Sequence, residues 1–369
     1  MRIPLIKPYI DNDIKSQVLE VLDSGFLTEG IITNEFENRI RDYVESEYAI
    51  AFTSCTTGLE AALRCLGIGP GDEVIVPDYT YPATAAVAPL VGATSVIVDV
   101  CRDNMLIDYD LIESAITSKT RAIIPVSLFG NPLDYDRLNL IKNKHNLFII
   151  EDAACSLGAE WDNIKVGSLA DISVFSLHPR KFITTGEGGI VTTNNKEWSE
   201  WLNSFKHFGM GPSITREGTV FNIIGTNYKL SNVLAAIGLG QLKKIDLLLS
   251  RRRELAFNYD KLIKGHPFIT LPDCQKNAQH SYQSYTVFIP RRDDVMKKMR
   301  SNGIEVQIGT YSLHNHPAFQ NNPRIRLSSS FENSNWVYDH CLTLPLYHDL
   351  TFEQQELIIE ELIKEVTCC

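Results

Sequence analysis

The chain has no apolar run approaching the roughly 20 residues needed to cross a bilayer. Its start, Met1-Arg2-Ile3-Pro4-Leu5-Ile6-Lys7-Pro8, lacks the apolar stretch of a secretory signal. Both absences lead to the expectation of a cytoplasmic protein with no membrane partner. Basic charge is also scarce: 35 Lys and Arg stand against 45 Asp and Glu, a formal net charge of -10. A surface that neutralises many phosphates needs a basic face, so nucleic acid is excluded as a partner, while a small anionic ligand held by a local site is not. The eight cysteines include no C-x-x-C pair and the nine histidines no H-E-x-x-H pattern. Reduced thiols and no metal are therefore expected, with Cys368-Cys369 read as a frayed tail. Internal repeats and low-complexity segments are absent too.

What is present is a globular composition, 369 residues of which 44% are hydrophobic, enough for a large core and two or three domains. The opening reads as helical, over 13–22 and 33–44. From residue 48 onward short apolar runs (49–53, 73–77, 94–98, 122–126, 147–150) alternate with stretches of helical spacing (59–66, 83–91, 110–115, 136–144). Strands apolar on both faces and separated by helices predict an α/β fold, a mostly parallel sheet flanked by helices. The pattern then predicts one long helix over 231–262, a strand over 282–289 and a last helix over 351–366, making a smaller C-terminal α+β domain. The expected division is an N-terminal helical segment over 1–30, a large α/β domain over 31–245 and the small domain over 246–369.

Four pieces carry possible chemistry. Lys181 stands between the runs Ile172-Ser173-Val174-Phe175 and Ile190-Val191-Thr192-Thr193, just before Thr184-Thr185-Gly186-Glu187-Gly188-Gly189. It reads either as a surface lysine on a hairpin or as an amine aimed into a cleft, able to form an imine with an aldehyde. Ser54-Cys55-Thr56-Thr57-Gly58 joins a strand to a helix, where backbone N–H groups and hydroxyls serve as an ordinary cap or as an anion cup. Asp152 follows an apolar strand, at the end where open parallel sheets bind ligands. It fits a helix cap, a Mg²⁺ ligand or a partner for a protonated ring nitrogen. Tyr81, in Tyr79-Thr80-Tyr81-Pro82, either packs or stacks on a flat ligand. Together they are the four things that pyridoxal phosphate requires.

On these residues the chain resembles the DegT/DnrJ/StrS-type sugar aminotransferases, pyridoxal-phosphate enzymes of fold type I. The most specific match is Phe175-Ser176-Leu177-His178-Pro179-Arg180-Lys181 with the glycine-rich turn after it. Gly69-Pro70-Gly71-Asp72-Glu73-Val74-Ile75-Val76-Pro77, Glu151-Asp152-Ala153-Ala154 and Gly225-Thr226-Asn227-Tyr228-Lys229-Leu230 add to it. The resemblance implies that Lys181 bears the cofactor as an imine and carries the proton, and that Asp152 pairs with the pyridine nitrogen. It further implies that Tyr81 stacks on the ring, that Thr56, Thr57 and Ser176 hold the phosphate, and that Asn227 reaches the phosphate of a neighbouring subunit in a homodimer. Tyr311 and His314 fall where relatives place groups near the sugar. The implied reaction moves an amine, with L-glutamate as expected donor, to a keto group of a nucleotide-linked deoxysugar. A cyclitol-type ketone, a sugar dehydration and a non-catalytic sensor are the alternatives; dehydrating relatives carry a histidine in place of the lysine. The sequence departs from the family pattern at Cys155, usually glutamine or histidine, and at Cys55, usually glycine.

Overall fold

The computed structural model describes residues 2–211 and 217–367. Cys368-Cys369 lie outside the described residues, as do residues 212–216. The central sheet has eight strands, in edge-to-edge order Tyr48–Phe52, Gly189–Thr193, Ile172–Ser176, Phe148–Asp152, Thr120–Ile123, Glu73–Pro77, Thr94–Val98 and Ile325–Leu327. Gly189–Thr193 is antiparallel to both of its neighbours, and every other pairing in the sheet is parallel. The expected α/β fold, a mostly parallel sheet covered by helices, is the one observed.

Why these runs become interior strands is visible along Glu73–Pro77, in which all five residues are buried. Ile75 points into one apolar cluster with Val96, Ile123 and Ile149, while Val74 and Val76 point into another with Ile97, Ala122 and Ile150. Period-two alternation thus feeds two cores, one on each face, and each aliphatic side chain so buried contributes about 1.5–3 kcal/mol. The strand Ile325–Leu327 comes from far down the chain and pairs parallel with Thr94–Val98. The chain after residue 246 therefore does not all lie in the second sheet.

That second sheet is antiparallel: Cys341–Leu344 lies between Tyr285–Phe288 and Gln307–Ile308. Helices Ile245–Ile263, Arg292–Ser301 and Phe352–Thr367 close a third apolar cluster over it. Two sequence expectations need correction here. The single long helix over 231–262 is two, Asn232–Leu242 and Ile245–Ile263, separated at Lys243 and Lys244. The first is apolar all round and buried against helices Asn12–Ser24 and Ile31–Val44, with Gly238 and Gly240 admitting Phe36 and Ile14. The second begins in the same cluster, with Ile245, Leu248 and Leu249, and carries on into the third with Leu255, Tyr259 and Ile263. The strand expected over 282–289 starts only at Tyr285, because Tyr282 has a left-handed backbone (φ 51°).

At the opposite end, Ile3 forms a parallel bridge with Ile304, and the Leu346 N–H donates to the Leu5 carbonyl at 3.0 Å. Residues 3–6 are thereby strapped across the second sheet, with Leu5 and Ile6 facing its junction with the first.

Candidate active site

A cavity of about 620 Å³ opens at the carboxyl ends of the central strands and is closed on its far side by the second sheet. Its floor is the end of Phe148–Asp152. Asp152 is 4% exposed, its Oδ2 accepts from the Thr84 hydroxyl at 2.7 Å and its Oδ1 from the Ala154 N–H at 3.2 Å. Thr84 in turn shares a hydrogen bond with Thr80 at 2.9 Å, so the carboxylate has a fixed direction. Burial pushes the Asp152 carboxyl above its ordinary range, only partly opposed by the Thr84 and Ala154 bonds and by Lys181. A cation in the cavity beside Asp152 would restore the charged form.

One wall is the start of helix Cys55–Cys65. Ser54 caps it: its Oγ accepts from the Thr57 N–H at 3.1 Å, and its own N–H donates to the Thr57 hydroxyl at 3.1 Å. Thr57 is therefore spent on the cap and is absent from the cavity wall, whereas Ser54, Cys55 and Thr56 line it beside Ser176. The side chain of Cys55, where a glycine was the family norm, turns its Sγ toward Asp152 Oδ1 (3.9 Å) and the Val174 carbonyl (3.5 Å). Gly189 makes this wall possible. A Cβ there would stand 2.5 Å from Ser54 and Cys55 backbone atoms, so only glycine lets the returning strand pass so close.

Lys181 projects from the 177–188 loop of the Ile172–Ser176/Gly189–Thr193 hairpin. The loop is tied internally, Leu177 N–H to the Gly188 carbonyl (2.9 Å) and Thr184 Oγ1 to the Leu177 carbonyl (2.7 Å), and Phe182 and Ile183 are buried. It is a rigid mount for the lysine. The Lys181 Nζ donates to Cys155 Sγ at 3.0 Å. Burial pushes its ammonium down, but Cys155, Cys55 and Asp152 outweigh that and leave it above the ordinary lysine value.

The rim is looser. Tyr81 lines the cavity and is 66% exposed, with its ring 6.3 Å from that of Tyr311. The two are neighbours because Tyr79–Thr80 and Tyr311–Ser312 pair antiparallel. His314 is not at the cavity: its Nδ1 is 2.7 Å from the buried Asp78 Oδ2 and its ring stacks on Phe331 at 4.5 Å. Asn227 is exposed, accepts from Lys229 Nζ at 2.7 Å and does not line this chain's cavity. Sequence reading missed Thr84, Gln283, and Leu5 with Ile6. Only the first carried a signal, its position one helical turn from Thr80 under the Asp152 strand end.

The donor set fits pyridoxal phosphate: hydroxyls and backbone N–H groups at a helix start for a phosphate, a buried carboxylate for a ring nitrogen and an amine within one cavity. The model of the DegT/DnrJ/EryC1/StrS aminotransferase family matches residues 8–363. The chain belongs to that family. It is an aminotransferase, and its family and structural neighbours are pyridoxal-phosphate-dependent enzymes of fold type I. GDP-perosamine synthase of Caulobacter vibrioides is 37% identical over 325 residues, covering 86% of this chain and 87% of that protein. UDP-4-amino-4-deoxy-L-arabinose--oxoglutarate aminotransferase of Shewanella sediminis is 32% identical over 375 residues, covering 97% and 96%. The PLP form of Spr1654 from Streptococcus pneumoniae superimposes with a TM-score of 0.93 at 30% identity, over 99% of this chain and 100% of that one.

Proposed function

We propose that the enzyme moves an amino group from L-glutamate to a keto group of a nucleotide-linked deoxysugar, using pyridoxal phosphate, as a homodimer. The observation that carries the reading is the convergence of Lys181, Asp152 and the Ser54–Thr56 helix start on one cavity. The names of the two relatives support a nucleotide sugar as acceptor, and the second supports glutamate as donor.

In this reading the cofactor, when bound, supplies the electron sink and the temporary amine carrier. Asp152 holds a proton on the ring nitrogen by offering a buried carboxylate that burial alone leaves poorly stabilised as an anion. Thr56, Ser176 and the helix start bind phosphate, while Thr57 acts by keeping the cap closed. The Lys181 amine, on its rigid loop, takes and returns the proton at the substrate carbon bearing nitrogen. Carried on that loop, it needs no diffusion step, and positioned proton transfer of this kind is worth about 10²–10⁴ in rate. Tyr81 and Tyr311 form an aromatic edge for the sugar end.

Two features support the dimer. Asn227 is exposed and does not line its own chain's cavity, and large exposed apolar side chains occur in two stretches, Phe26 with Ile31 and Phe221 with Ile224. Purified protein loaded with pyridoxal phosphate is expected to show a visible band that bleaches with L-glutamate. Nitrogen-labelled glutamate should then label one member of a panel of keto-sugar nucleotides. A colourless protein that transfers no nitrogen overturns the reading.

A further inference from the structure

The departure at position 155 sits against the reactive amine. Cys155 lies just past the strand Phe148–Asp152, where the chain turns through Ala153 and Ala154. Its Sγ accepts from the Lys181 Nζ at 3.0 Å, and among the described residues that amine makes no other side-chain hydrogen bond. Both ends of this contact are braced by one short segment, residues 281–283. Ser281 Oγ donates to the Cys155 carbonyl at 3.2 Å, and the Ser281 N–H donates to the Gly130 carbonyl at 3.0 Å. Gly130 packs so close that a Cβ there would stand 3.1 Å from the Cys155 carbonyl oxygen, which pins the thiol's backbone from two sides.

Two residues on, the buried Gln283 spans the lysine. Its Oε1 accepts from the Phe182 N–H at 3.0 Å and its Nε2 donates to the Arg180 carbonyl at 2.7 Å, holding the backbone on either side of Lys181. Gln283 is itself held, because Arg252 donates to its carbonyl at 2.7 Å. Thiol and amine are thus anchored to the same piece of chain, so their separation is set by the fold rather than by two mobile side chains.

We propose that Cys155 is a positioning residue that holds the uncondensed side chain of Lys181 toward the cavity. A lysine side chain otherwise samples many rotamers, and fixing it ahead of reaction removes that entropy from the barrier. A sulfur is a weak hydrogen-bond partner, which suits a contact that must be released each time the amine reacts. The proposal rests on the pyridoxal-phosphate reading, and its test separates the two. Cofactor-free protein is mixed with pyridoxal phosphate, and the visible band is followed in time; borohydride reduction and peptide mass spectrometry then confirm attachment at Lys181.

Cys155→Ala is expected to slow capture about tenfold, the factor supplied by one hydrogen bond, with an unchanged melting temperature. Cys155→Ser, whose hydroxyl offers the same kind of partner, should return the rate to within about threefold of the parent. Equal capture rates in the parent and Cys155→Ala overturn the positioning role and leave the proposed function standing. A slow Cys155→Ala that Cys155→Ser does not rescue also overturns it, marking a packing defect instead. If the parent protein captures no cofactor, the functional reading falls, and this inference falls with it.

Discussion

The floor of the cavity and its rim are built in opposite ways. At the floor Asp152 is nearly sealed and has hydrogen-bond partners on both oxygens, Lys181 rides a loop tied to itself, and Gly189 leaves no spare space. At the rim Tyr81 is mostly exposed, the tilted ring of Tyr311 stands 6.3 Å from it outside the cavity lining, and Asn227 is exposed and does not line the cavity. A site whose chemistry is fixed at the bottom and whose contacts are loosely held at the top can change what it accepts without changing what it does. The relatives fit this division, since both resemble this chain over most of its length while their names carry different sugars.

The comparison can be broken at its strongest point first. Lys181→Ala should lower kcat by about 10⁴-fold or more while leaving a folded protein by circular dichroism. Comparable turnover in the variant would remove the floor's chemical role. Asp152→Asn should lower kcat about 10²-fold or more by withdrawing the partner of the ring nitrogen, and its stability effect should depend on pH. The sign follows from burial: a carboxyl raised in the folded state favours folding while protonated, and that contribution is lost as pH rises through its folded pKa. Cofactor-free Asp152→Asn should therefore gain melting temperature over the parent near pH 8, with the gain shrinking toward acid.

Gly189→Ala should cost about 1–3 kcal/mol of stability in denaturant unfolding, since the new methyl meets backbone rather than a side chain. Thr57→Val should cost about 1 kcal/mol by opening the helix cap, whereas Thr56→Val should weaken cofactor affinity with stability unchanged, a contrast read by melting and by titration. The smallest effect belongs to the rim. Tyr311→Ala should raise KM for the sugar about two- to tenfold at constant kcat, the worth of one aromatic contact; a fall in kcat instead would move Tyr311 from the rim to the floor.

Much of the floor was legible in the sequence because the runs around Ile75, Ile150 and Val174 are apolar on both faces, which leaves few places for a charged residue except a strand end. Asp152 and Lys181 stood out for that reason. Thr57 was expected at the phosphate and is found in the helix cap, because a cap hydroxyl and a phosphate-binding hydroxyl obey the same local rule and only geometry assigns the Ser54 partner. His314 was misplaced because its neighbour Asp78 is 236 residues away in sequence. Gln283 gave no signal at all, as its two hydrogen bonds go to backbone atoms that any residue would present. The break at Lys243 and Lys244 was invisible because both halves have good helical spacing and neither Gly nor Pro separates them.

The strap formed by residues 3–6 also has a meaning in time. Its partners are Gly303, Ile304, Glu305 and Leu346, so residues 3–6 cannot be fully seated until the chain has been made as far as residue 346. Leu5 and Ile6 then close the cavity's last wall. The floor residues up to Gly189 are therefore synthesised well before the partners that seat the side of the cavity lined by Leu5 and Ile6.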